Sequence, residues 1–154
     1  MASTRIRPGH NDDTDWLYRL FRQTNRDFIE TTWGWDELLQ REAFFTNLPG
    51  NQFRILELDG DPAGGYHLAR KSDPHQLWLE MILVKPDLQR RGYGTLMMQH
   101  IKDQARVLKL PVRLKVLRSN PALLFYRQQQ FTSVQADVNS LKMEWPGDAW
   151  KSSE

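Results

Sequence analysis

The chain has 154 residues, with 21 Lys and Arg against 19 Asp and Glu, a formal charge of +2, and no cysteine. That composition leaves no disulfide framework, no thiolate metal site and no thiol nucleophile, while 40% apolar and 26% charged side chains match ordinary globular usage rather than disorder. The longest apolar-rich run, 77–84, is interrupted by Glu80 and is far too short for a membrane span, and residues 1–10 carry no apolar signal core, so a cytoplasmic protein with no membrane partner is expected. In chain order, Ile6 between Arg5 and Arg7 reads as a short first strand ended by Pro8-Gly9. Trp16, Leu17, Leu20 and Phe21 recur at helical spacing and give a first helix, broken by Trp33-Gly34-Trp35-Asp36; a second helix follows over 36–46. Phe53, Ile55 and Leu58 form a strand, Asp59-Gly60-Asp61 turns, and 63–69 returns as its antiparallel partner. Residues 76–84 are nearly continuous in apolar side chains, as in a central strand covered on both faces. Plain alternation puts Glu80 on the face of Trp78, Ile82 and Val84. A glycine-containing loop over 89–94 opens a long helix to about 108, with Met97, Ile101, Ala105 and Leu108 as its buried stripe. Residues 112–117 form a second buried strand, so 76–117 reads as a parallel βαβ unit. Asn120-Pro121 starts a short helix, and 131–137 with 141–145 close the chain as a hairpin. The expected fold is α/β (α+β): a mixed, mostly antiparallel sheet of six or seven strands, a parallel pair at its centre and about four helices. It occupies a single domain over 1–146, followed by a tail over 147–154.

The charge is unevenly placed. Residues 85–118 hold 9 basic and 2 acidic side chains, a net of +7, whereas 1–84 hold 9 and 13, a net of −4. The positive block favours an anionic partner, and it begins at the most informative segment of the chain. There, Val84 and Lys85-Pro86 end the central strand, and Gln89, Arg90, Arg91, Gly92, Tyr93, Gly94 and Thr95 lead into the helix. Unpaired N–H groups and the dipole make a helix N-terminus an anion site, glycine lets the backbone approach closely, and two arginines add fixed charge. A nucleoside-triphosphate P-loop needs Gly-Lys-Ser/Thr, and Gly94-Thr95-Leu96 fails it. A dinucleotide fingerprint needs glycine where Met97 stands.

Gln89-x-x-Gly92-x-Gly94 after a Glu-bearing strand, with Asn120-Pro121-Ala122 and Phe125-Tyr126 after the next strand, resembles the GNAT superfamily of acyl-CoA-dependent N-acetyltransferases. The element order agrees with that superfamily from the first strand to the final hairpin. One departure stands at Gln130, where the family usually places glycine; a left-handed helix cap is cheap only for glycine. The resemblance implies acetyl-CoA as donor, its diphosphate on the backbone of 89–95, and its pantetheine arm paired along the backbone of Leu83 and Val84. It also implies a cofactor contact at Asn120, packing at Phe125 and a sulfur-protonating role for Tyr126. Asn120 serves equally as a helix cap before Pro121.

Glu80 is costly in such a strand unless paired or functional. It is read as the group that deprotonates the acceptor amine, with a structural ion pair to Arg113 or Lys115 as the alternative. In the family the break between the first two helices walls the acceptor pocket, which places Glu30, Trp33, Trp35 and Asp36 there. Aromatic and acidic side chains suit a cationic amine, although Asp36 also fits a helix cap. The resemblance thus implies transfer of an acetyl group to a small-molecule or peptide amine. No metal is implied, since the four His lack ligand spacing, and no nucleic acid. Homodimers are common in the family. A non-catalytic acyl-CoA-binding regulatory module is the alternative reading, and a nucleic-acid-binding protein using 85–118 is a remote one.

Overall fold

The computed structural model describes residues 2–72 and 74–147. Strand β1 (Thr4–Pro8) leads through a 3-10 turn into α1 (Thr14–Trp33). Gly34 ends that helix at φ +80°, a left-handed conformation that glycine adopts without penalty. Helix α2 (Glu37–Asn47) starts one residue later than the sequence pattern implies, because Asp36 is its cap and accepts from the Leu39 N–H at 3.0 Å. Strands β2 (Phe53–Leu58) and β3 (Asp61–Ser72) form a hairpin about Asp59 and Gly60, both at positive φ. Strands β4 (His75–Val84) and β5 (Val112–Leu117) flank α3 (Tyr93–Leu108), and α4 (Ala122–Gln128), β6 (Thr132–Ala136) and β7 (Ser140–Trp145) complete the fold.

The seven strands form one mixed sheet in the order β1-β2-β3-β4-β5-β7-β6, with β4 and β5 the parallel pair. Helices cover it unequally. One apolar cluster unites Met97, Met98, Ile101 and Ala105 of α3 and Tyr126 of α4 with Leu77, Leu79, Leu114, Val116 and Met143 of the sheet. The other packs Leu17, Tyr18, Leu20 and Phe21 of α1 and Phe44 of α2 on Phe53, Ile55 and Leu83. No residue of β5, β6 or β7 belongs to this second cluster, so α1 and α2 cover only the β2–β4 half of their face.

Three sequence expectations are corrected. Helix α3 begins at Tyr93, so Gly94 and Thr95 lie inside its first turn rather than in the loop. Leu108 is exposed and Met98 takes its place in the buried stripe. Strand β4 does not alternate regularly. His67 pairs with Met81 but Leu68 with Leu79, leaving Glu80 as the extra residue of a bulge. Leu77 and Leu79 before the bulge, and Ile82 and Val84 after it, all face α3. Glu80 therefore shares the opposite face with Trp78, Met81 and Leu83, not with Ile82 and Val84. The expected tail, apart from Gly147, lies outside the described residues.

Candidate active site

Strand β4 has two unequal edges. Toward β3 it is paired from His75 to Val84; toward β5 the register holds only at Leu77↔Val112 and Trp78↔Arg113. Beyond that row the strands part, because β5 stays bound to β7 along its whole length and β4 bends at the Glu80 bulge. The result is a V-shaped opening. Its β4 lip includes Leu83 and Val84 and offers an extended ligand backbone groups that no strand has taken. At its end the Gln89 amide Nε2 donates to the Val84 carbonyl at 3.1 Å, which ties the following loop to the lip.

That loop ends in a bare helix start. Gly92, at φ +89°, is the cap residue of α3 and has no side chain to offer; the first helical bond runs from the Leu96 N–H to the Gly92 carbonyl at 2.9 Å. The N–H groups of Tyr93, Gly94 and Thr95 are thus left for an anion. Arg90 also sits in the left-handed region, at φ +63°, and it and Arg91 are exposed. Helix α4 closes over the same corner. A Cβ on Gly94 would lie 3.3 Å from the Phe125 ring, and the Gln129 side chain donates to the Thr95 hydroxyl at 3.2 Å. Tyr126 follows Phe125 into the α3-side core and is buried, which pushes its phenol well above the usual range and keeps it protonated. It shares that cluster with Ile82 and Val84 of the lip.

The profile of the Acetyltransferase (GNAT) family matches residues 15–131. The chain belongs to this family. Its fold is similar to that of the PaiA N-acetyltransferase of Thermoplasma acidophilum in complex with coenzyme A, at TM-score 0.75 and 16% identity over 92% of this chain and 98% of that one. It is similar as well to the ribosomal-protein-S18-alanine N-acetyltransferase of Escherichia coli, at TM-score 0.71 and 20% identity over 94% of each chain. Chaetomium thermophilum Naa20 in complex with a bisubstrate analogue matches at TM-score 0.65 and 17% identity, over 97% of this chain and 90% of that one. No curated protein sequence matches the chain.

Within this GNAT fold, Glu80 projects from the bulge on the α1–α2 side of the sheet. Its ion partner is Lys71 of β3, with Nζ 3.7 Å from Oε1, rather than Arg113 or Lys115. Arg113 instead binds Glu144 at 2.6 Å. Beside Glu80, His67 is buried with Nε2 2.9 Å from the Gln52 amide oxygen. Burial holds the imidazole below its usual pKa, and the nearby Glu80 charge opposes that shift. Neither Lys71 nor His67 is visible in the sequence as a site residue, because only the β3–β4 register brings them to Glu80.

The four residues expected around the acceptor meet at the α1–α2 turn, but most are already engaged. Glu30 pairs with Arg26 at 3.4 Å, and Asp36 caps α2. The Trp35 indole N–H donates to Glu37 at 2.5 Å, while its ring lies 6.0 Å from Phe21 and beneath Arg26. That bond lowers the Glu37 pKa. Trp33 is exposed. The turn is moored to the far side of the opening by Ser119, whose hydroxyl lies 2.8 Å from that of Thr32 and 3.2 Å from the Phe28 carbonyl. Asn120 is spent locally as well: its side-chain oxygen accepts from the Ala122 N–H at 2.8 Å, the capping alternative.

The basic block of 85–118 does not gather on one surface. Lys102 is buried and donates to the Gln129 carbonyl at 2.7 Å, Arg106 pairs with Asp103, and Arg113 lies on the opposite face of the sheet from α3. Among the described residues, no group of three or more His, Asp or Glu could hold a metal ion, and no helix is long and apolar enough to cross a membrane.

Proposed function

We propose that this GNAT protein transfers an acetyl group from acetyl-CoA to a primary amine by direct attack. The observation that carries the reading is the unpaired β4 lip running into the bare α3 N-terminus: one continuous track for a peptide-like arm ending at a diphosphate site. The N–H groups of Tyr93, Gly94 and Thr95, with Arg90 or Arg91, hold the diphosphate. Leu83 and Val84 pair with the arm through their backbones, and Phe125 walls it. Asn120 has its side-chain oxygen in the cap, which leaves only its amide N–H groups for the arm.

Glu80, oriented by Lys71, removes the proton from the acceptor ammonium, whose ordinary pKa near 10 would otherwise leave it unreactive at neutral pH. Backbone N–H groups near Leu83 stabilise negative charge on the carbonyl oxygen. Tyr126 shares its proton with the departing sulfur; burial disfavours the free phenolate, so the proton is held until that charge appears. The acceptor, a small-molecule or peptide amine, enters from the α1–α2 side past Trp33 and Trp35, with Glu30 at the rim. Asp36 acts there only through the helix it caps. The protein works in the cytoplasm.

The test is CoA release with a panel of primary amines for wild type, Glu80→Gln and Tyr126→Phe. Each substitution should lower kcat by about 10²–10³ with acetyl-CoA binding retained. Unchanged turnover in both variants removes the assigned roles. Binding of acetyl-CoA without turnover of any amine points instead to a regulatory acyl-CoA-binding module.

A further inference from the structure

The β5–β7 half of the sheet is uncovered on the α1–α2 side, and its charges fall into an unusual register. Val112, Leu114 and Val116 of β5 and Leu141, Met143 and Trp145 of β7 face the α3 core. The alternate residues Arg113, Lys115, Lys142 and Glu144 therefore face the open side. Arg113 stands opposite Glu144 and binds it, but Lys115 stands directly opposite Lys142. Like charges in directly opposed positions repel, and neither ammonium forms an ion pair among the described residues. Asp137 acts on Lys115 from beyond ion-pair distance, and its carboxylate already accepts from the Asn139 and Ser140 N–H groups and the Ser140 hydroxyl. The residue across from Lys142 on β6, Gln135, is uncharged. The Trp78 indole lies under Lys142, 5.8 Å from Nζ, and fixes that side chain against the sheet.

This pair borders the reactive opening. Trp78↔Arg113 is the last paired row of β4 and β5. Two residues further along each strand come Glu80 and Lys115, on the same face and on opposite lips. Lys71 answers the Glu80 carboxylate, and nothing comparable answers Lys115 and Lys142.

We infer that Lys115 and Lys142 receive a carboxylate carried by the acceptor itself, so the preferred substrate is a primary amine that also bears a negative charge. This rests on the acetyltransferase reading and names the substrate class for it. The amine meets Glu80 on the β4 lip while the carboxylate bridges the two ammonium groups beyond the β5 lip, each end of the acceptor meeting the charge opposite to its own. A purely cationic acceptor, such as a polyamine, would set its second ammonium against the lysine pair.

The test compares matched acceptors, small amines and short peptides, each as carboxylate and as amide, for wild type, Lys115→Glu, Lys142→Glu and the double variant. Wild type should prefer the carboxylate form through a lower KM. Each single substitution should raise that KM about fivefold, and the double should abolish or invert the preference with acetyl-CoA binding unchanged. Because each single substitution replaces a repulsive cross-strand pair with an attractive one, it should leave thermal stability equal or higher. Lost activity then cannot be ascribed to unfolding. A non-reactive dicarboxylate such as succinate should compete with the acceptor in wild type and not in the double variant. Equal KM for the carboxylate and amide forms, or a preference that survives in the double variant, overturns the inference. Acetyl-CoA binding with no turnover of any amine overturns the transferase reading itself, and this one with it.

Discussion

Helices α2 and α3 both start beside the opening, and they treat their first turns in opposite ways. At α2 the Asp36 carboxylate accepts from the Leu39 N–H, so the helix satisfies itself and its positive end is answered from within the chain. At α3 the cap residue is Gly92, which brings no oxygen and no bulk. Asn120 likewise gives its side-chain oxygen to the Ala122 N–H before α4, while at the head of α1 the Asp13 carboxylate caps no helical N–H but accepts from Arg7, Trp16 and the His10 N–H. A helix start built for stability carries its own anion, whereas one built for a ligand leaves that position open. The largest expected effect comes from converting the second kind into the first. Gly92→Asp places a carboxylate where the diphosphate is proposed to sit, and acetyl-CoA affinity measured by calorimetry should fall about hundredfold. Aspartate tolerates left-handed φ better than most residues, so the folded state should survive by circular dichroism. Unaltered affinity would remove the α3 terminus from the cofactor site.

The next effect belongs to the start of α1. Burial raises the energy of the Asp13 carboxylate, but hydrogen bonds from Arg7, Trp16 and His10 outweigh that cost and hold its pKa down to about 2. A depressed carboxylate pKa stabilises the folded state above its unfolded value near 4, and the contribution fades as pH falls from there through about 2. The difference corresponds to about 2 kcal/mol. Urea midpoints of wild type and Asp13→Asn should be well separated at pH 6, and most of that gap should be lost by pH 2.5. A gap that stays constant over that range would show that the carboxylate is not what holds this corner. The closed start of α2 is smaller still. Asp36→Ala should cost about 1 kcal/mol of stability by losing the cap and should leave acetyl-CoA binding untouched, the reverse of the outcome at Gly92.

Much of this contrast is legible in the sequence and part of it is not. Gly92 and Gly94 stand out because local chemistry alone, a glycine pair between a strand and a helix, says that the backbone must be approached. Asp36 and Asn120 are ambiguous on the same local evidence, since a capping residue and a ligand-binding residue are the same residue types; the structure gives their side-chain oxygens to backbone N–H groups. Alternation groups Glu80 correctly with Trp78 but wrongly with Ile82 and Val84, because one bulge residue inverts everything after it. Its partner Lys71 lies nine positions earlier across a hairpin, and the unanswered pair Lys115 and Lys142 depends on a register between strands separated by α4 and β6. Such pairings are set by tertiary packing and have no local signature.

The smallest effect lies at the other end of a helix, where the sequence departs from its family. Helix α4 closes with the Phe131 N–H donating to the Tyr126 carbonyl at 3.0 Å, a wrap that requires the residue between them and after the cap to be left-handed. Gln130 fills that position at φ +72°, whereas the positive φ at the end of α1 falls on Gly34, which adopts it without strain. A residue with a Cβ pays roughly 1 kcal/mol there. Glycine relieves this strain but gives back part of the gain through the greater freedom it adds to the unfolded chain. Gln130→Gly should therefore stabilise the protein by a few tenths to about 1 kcal/mol, read as a small rise in the denaturant midpoint at constant slope. Because Phe125 of α4 and Gln129 just after it, which touch Gly94 and Thr95, keep their places, acetyl-CoA binding should not change. A loss of stability would mean that the Gln130 side chain contributes more than its strained backbone costs.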